Sequence, residues 1–264
     1  MLGHKTLAMV KRYSHLVIER QCAAHLEILQ VVQYSLAMMS ERLREGRLKA
    51  GLTQVEAARR LGVSQPYLSQ LEKGERPVTA ELARAAAELY RLPATALPMP
   101  ESSPGDVDPQ RLARQLAGLG YPGFAHLRPL KANPAAVVLG CLMQQDLEVR
   151  LAEALPWVLL AYPDLDWSWL VRHAKLHDLQ NRLGFLVALA RNVATAQPQF
   201  GGALGPLSSV EEQLERARLV REDTLCRESM PAAERHWLQK ARSPLARHWN
   251  VLSGLTADQL SYAA

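Results

Sequence analysis

The chain has 264 residues, 48% of them hydrophobic, and a formal net charge of +5, which accommodates about two globular domains and an anionic partner. Its three scattered cysteines, Cys22, Cys141 and Cys226, make neither a disulfide framework nor a metal knuckle, and they fit a reducing compartment. No apolar run reaches the ~18 residues of a membrane span and no signal-peptide order opens the chain, so a cytoplasmic protein without a membrane role is expected.

Residues 1–16 read Met-Leu-Gly-His-Lys-Thr-Leu-Ala-Met-Val-Lys-Arg-Tyr-Ser-His-Leu. This resembles the final catalytic segment of the tyrosine recombinases (phage-type integrases), which implies His4 as the active-site histidine and Tyr13 as the nucleophile. Such chemistry needs arginines, a lysine and a further histidine around the scissile phosphate. Without them a tyrosine of pKa near 10 is inert. The expectation for 1–39 is a relic segment outside the working protein, with Met38 or Met39 as its start. The competing expectation for the apolar stretch 17–39 is an added helix that packs on the next domain or on a partner.

A first domain helix is expected over about 41–50, with Leu43 and Leu48 inward. Thr53 then caps a second helix, and Glu56, three residues on, has capping-box spacing. Val55, Ala58 and Leu61 recur at helical period, and Gly62 can take the left-handed conformation that ends the helix. Ser64 caps a third helix, Pro66 is tolerated in its first turn, and Leu68 and Leu71 are its buried positions. Thr79 caps a fourth, with Leu82, Ala86 and Leu89 apolar at period. Residues 40–98 carry ten Lys and Arg against seven Glu, an excess suited to a polyanion.

The run Arg-Leu-Lys-Ala-Gly-Leu-Thr-Gln (47–54), Leu-Gly-Val-Ser (61–64) and Tyr-Leu-Ser-Gln-Leu-Glu-Lys-Gly (67–74) resembles the lambda-repressor-like, Xre/Cro-type helix-turn-helix domain. The resemblance covers about 40–98, under a quarter of the chain. It implies a transcriptional regulator whose third helix lies in the major groove of double-stranded DNA. On that placement Gln65, Tyr67, Ser69 and Gln70 are candidate base contacts, with the two glutamines first because glutamine can bond adenine N6 and N7 together. Gln54 matches the position that clamps a phosphate, helped by the helix dipole, and Lys73 and Arg76 are further phosphate contacts. Arg47 and Glu72 match a structural salt bridge.

Residues 99–109 are dense in proline and acid and read as a linker. Beyond it a helical domain over 110–264 is expected, with helices near 110–119, 134–144, 146–161, 166–176 and 177–196. Asp146 and Asp164 or Asp166 serve as caps. Val149 is counted in the apolar surface of the third of these helices, and Leu176, Trp167 and Trp169 as core anchors. Residues 197–208 read as a mobile connection, followed by a charged helix over 209–228 and a last helical pair from 231. The rhythm is like HEAT helix pairs but has no countable repeat. His173 and His177 share a helix face, but no third ligand follows at suggestive spacing. Trp157, Trp167, Trp169, Trp237 and Trp249 read as core. No Gly-rich phosphate loop, nucleophile elbow or acid pair stands out, so no cofactor, metal or enzymatic reaction is expected.

The fold expected is all-α: a lambda-repressor-like bundle followed by a helical C-terminal domain. The leading function is a dimeric repressor reading a palindromic operator. The alternative is an antitoxin whose C-terminal domain holds a protein toxin while the N-terminal domain autoregulates the operon.

Overall fold

A computed structural model describes residues 40–100, 107–260 and 262, and the chain divides into two compact units between Leu92 and Pro93. The recombinase-like residues 1–16, with His4 and Tyr13, lie outside the described residues, as does the rest of 1–39.

The first unit contains α1 (residues 40–49), α2 (Gln54–Leu61), α3 (Gln65–Glu72) and α4 (Ala80–Leu89). Their boundaries follow from local chemistry. Thr53 and Glu56 form a reciprocal capping box on α2, and Gly62 closes it at φ +70°. Ser64 accepts from Tyr67 N at the start of α3, and Thr79 from Leu82 N at the start of α4. Leu43, Ala57, Ala58, Leu68, Leu71, Leu82, Ala86 and Tyr90 make one small core. Two expected core residues face water instead. Leu48 is exposed, because five positions beyond Leu43 a helix has turned to its other side. The inward places go to Gly46 and Arg47, at i+3 and i+4 from Leu43. Val55 is 67% exposed, since α2 turns Ala57 and Ala58 to the core.

The second unit is organised around α9 (Gln180–Ala196), whose residues from Gln180 to Ala190 are all buried. A helix buried on every side, and apolar from Leu183 to Ala190, is a core helix. Around it pack α7 (Val149–Ala161), α8 (Trp167–Leu176), α10 (Leu204–Glu215) and α12 (Pro244–His248). α6 (Pro134–Leu142), buried at eight of its nine residues, packs on α7, α8 and α5 (Pro109–Gly118), and α11 (Ala232–Ala241) is the remaining α-helix of the described residues. Helices set round one central member differ from a stack of like pairs.

Gly184 on α9 is where Trp249, fully buried, presses closest: a Cβ there would meet Cζ3 of the indole at 2.2 Å. Among the described residues the unit also holds a two-residue parallel pair, β1 (Asp223–Thr224) with β2 (Val251–Leu252). Arg182, also on α9, gives both nitrogens of its fork to Asp223, at 2.8 and 2.9 Å. Its Nη1 donates to Leu142 O at 3.0 Å. This one side chain thereby ties α6, α9 and β1 together.

Several expectations for this unit need correction. Residues 197–208 are a 3₁₀ segment, Pro198–Ala203, running straight into α10, with Ala203 and Leu207 buried. The charged helix ends at Glu215 rather than 228, because the chain then crosses to form β1. Asp146 is not a helix cap: it accepts from Ser229 N and Oγ, and Glu148 stands at the α7 N-terminus. Val149 and Leu176 are exposed rather than core, as is Trp237, at 62%. Asp166 does cap α8, accepting from Trp169 N.

Residues 93–97 follow α4 in sequence but are held in the second unit. Asn133 Nδ2 donates to the carbonyls of Thr95 and Leu97, at 3.3 and 2.7 Å, and Thr95 Oγ1 donates to Asp164 at 2.8 Å.

Candidate nucleic-acid interface

The candidate interface is built on α2 and α3, joined by the turn at Gly62. The left-handed backbone there lets Gly62 N–H and Val63 N–H return to carbonyls of the last turn of α2, the closure that glycine permits. Leu68 and Leu71 anchor the inner side of α3 with no exposure. This fixes the rotation of the helix and hence the direction of its other side chains.

Behind α3 sits a buried ion pair. Arg47 Nε donates to Glu72 Oε1 at 2.6 Å and Nη2 to Oε2 at 2.9 Å, while Nη1 donates to the Leu52 carbonyl at 2.9 Å. Every polar edge of this pair therefore has a partner, the condition for tolerating charge in a core. Burial opposes ionisation of Glu72, but the hydrogen bonds from Arg47 and Gln54 outweigh it and hold the carboxyl below its usual range. Tyr90 lies close to the pair; burial, and then the Glu72 charge, push its phenol up to about 12.

The network continues outward. Gln54 Nε2 donates to Glu72 Oε2 at 2.9 Å, and Gln65 Nε2 donates to Gln54 Oε1 at 2.9 Å. Four side chains from three helices thus form one line, Arg47–Glu72–Gln54–Gln65, from the core to the open face. The sequence identified all four residues and the Arg47–Glu72 pair, but not the links through Gln54 to Gln65. No spacing rule links positions 54 and 65 before the helices are docked.

Of the other candidates, Tyr67, Ser69 and Gln70 are half-buried on α3, and Lys73 and Arg76 are exposed beyond its end. The Arg76 guanidinium lies 5.8 Å from the centre of the Tyr67 ring, within cation–π range. Arg59 and Arg60, exposed in the last turn of α2, are further cations on this motif that the sequence pattern did not single out.

Residues 43–97 match the family described as Helix-turn-helix. This segment is a helix-turn-helix domain. Over 95 residues the chain is 37% identical to a propionyl-CoA carboxylase regulator of Cereibacter sphaeroides, covering 36% of this chain and 21% of that protein. The chain thus spans about a fifth of the length of that relative. No solved structure matches. The helix-turn-helix match covers residues 43–92 of the first unit and 93–97 of the second, leaving 1–42 and 98–264 outside it.

Among the described residues His173 and His177, which stand four apart, gather no third metal-ligating side chain. His173 Nδ1 is 2.8 Å from the Trp169 carbonyl and its ring stacks on the Trp169 indole, while His177 is the α8 C-cap. Among the described residues no group of three or more metal-ligating side chains comes together, and no helix is long and apolar enough to cross a membrane.

Proposed function

We propose that this protein is a DNA-binding transcriptional regulator that reads a palindromic operator as a homodimer and represses from it. The observation that carries the reading is the line of side chains ending at Gln65. A glutamine amide has two N–H groups and one oxygen. One N–H of Gln65 is used on Gln54, which leaves one donor and the acceptor, the pair that adenine N7 and N6 require. The Arg47–Glu72 pair, acting through Gln54, fixes the plane of that amide before DNA arrives, so less side-chain freedom is lost on binding.

In this reading Gln65 and Gln70 read bases, and Tyr67 and Ser69 complete the base-facing surface. Gln54, Lys73 and Arg76 hold phosphates, with Gln54 at the first turn of α2, where the backbone N–H groups and the helix dipole favour an anion. The name of the Cereibacter relative, a regulator, is in keeping with this role. The reading assigns the protein no chemical reaction, cofactor or metal.

Selection of bound duplexes from random-sequence DNA tests the proposal. An enriched inverted repeat, with half-sites about one helical turn apart, supports a dimeric sequence reader. A folded protein that enriches nothing contradicts it.

A further inference from the structure

We propose that the second unit carries its own DNA-phosphate surface, on α11, α12 and the loop after α10. The inference rests on the DNA-binding reading above and extends it to a part of the chain outside the helix-turn-helix domain.

Residues 93–264 hold 17 basic and 17 acidic side chains, yet the stretch 216–250 holds eight basic and four acidic. The charge of a neutral unit is therefore concentrated in one stretch. Folding pairs off the acids, two with cations of the same stretch and two, Asp223 and Glu228, with Arg182 from outside it. Asp223 is taken by Arg182, Glu222 by Arg242 and Gln239, and Glu234 by Arg227. Glu215, just before the stretch, is taken by Arg218 and His248.

The cations left over are Arg216, Arg221, Arg235 and Lys240, which have no ion pair among the described residues, and Arg247, which donates only to the Lys240 carbonyl. All but the half-buried Arg235 are exposed. Three contacts draw these segments together. Glu222 fastens the loop to α11, the Arg218–His248 carbonyl bond fastens α12 to the end of α10, and Arg247 reaches Lys240.

The composition of this surface favours nucleic acid over protein. Protein interfaces have an apolar core depleted of charge, whereas protein–DNA interfaces are more polar and much more positive. On these segments the five cations outnumber the exposed large apolar side chains, which are Trp237 and Val220. Unpaired cations that touch phosphates displace condensed counterions, which adds sequence-independent affinity and salt dependence.

The test compares the full chain with a variant carrying Arg216→Gln, Arg221→Gln, Arg235→Gln and Lys240→Gln. Each is titrated against the selected duplex and a random-sequence duplex of equal length over a series of NaCl concentrations. The expected result is a slope of log K against log salt that is shallower by about 3.6, at roughly 0.9 for each of the four phosphates no longer neutralised. Affinity should fall at least about tenfold on both duplexes at ~0.15 M salt, with the preference between them unchanged. A second variant with Arg216→Lys, Arg221→Lys and Arg235→Lys should keep the native slope, separating charge from packing. Unchanged slopes in a Gln variant that melts like the parent would overturn the inference and leave an acidic protein as the partner of this surface. Failure of the parent chain to enrich any duplex is a different result and would strike the DNA-binding reading itself.

Discussion

Arg47 and Glu72 meet behind the recognition surface with one guanidinium nitrogen on each carboxylate oxygen, and the two side chains are 9% and 2% exposed. Removing one partner strands the other charge. Arg47→Met or Glu72→Leu alone should cost about 3–5 kcal/mol, and both together considerably less than the sum. Denaturant unfolding of the parent and the three variants checks this; additive losses would contradict it.

The same pair gives the domain a pH dependence of defined sign. The Glu72 carboxyl is held below its ordinary value of 4.5 when folded, so its contribution is present above that value and lost as pH falls through the lower folded value. Melting of the first unit should therefore hold steady from pH 7 to about 5 and drop below it. In Glu72→Gln the part of that drop due to this residue should vanish, which a pH series of thermal melts reads directly.

Gly184 should not tolerate even a methyl group. Its Cβ would overlap the six-membered ring of Trp249, which has no room to retreat. Gly184→Ala should destabilise the second unit by about 1–3 kcal/mol or more, although alanine is the better helix former by nearly 1 kcal/mol. A stability gain in denaturant unfolding would contradict the packing described.

Asn133 should govern how residues 93–97 are held. It donates to two of their carbonyls and caps α6 through Ala135 N. Asn133→Ala removes all three bonds, at a cost of roughly 1–3 kcal/mol. It should raise amide exchange and proteolytic cutting selectively at 93–100. Unchanged protection there would count against this role.

What the sequence made legible was local. Thr53 with Glu56, Gly62, Ser64 with Pro66, and Thr79 each fix a helix end through contacts within a few residues, and these ends lie where their chemistry placed them. Leu68 and Leu71 declared the inner side of α3 in the same way. The misses have non-local causes. Val55 and Leu176 look like core because they are apolar, but burial depends on which face a neighbouring helix covers. Residues 197–208 look like a connection because they are rich in Gly and Pro, yet Ala203 and Leu207 are buried in the second unit. The β1–β2 pair joins residues 28 positions apart through two-residue strands, too short to show any periodicity. At the candidate interface the residue types were readable. The Gln54–Gln65 bond was not, since it exists only once α2 and α3 have docked.

In the proposed reading that bond makes Gln54 a positioning residue for Gln65 as well as a phosphate contact. Gln54→Ala should broaden the base preference opposite Gln65 as well as weaken binding, whereas Arg76→Ala should weaken all duplexes alike and flatten the salt slope by about 1. Selection profiles and salt titrations of the two variants separate these outcomes. Equal loss on specific and random DNA for Gln54→Ala would leave it a phosphate contact only.

The most direct test of the account is selection from random duplex DNA with the parent chain, Gln65→Ala and Gln70→Ala side by side. The account predicts one inverted repeat for the parent, with adenine preference blurred in each half-site at the position facing the changed glutamine. The same sharp motif from all three proteins, or none from a folded parent, would contradict it.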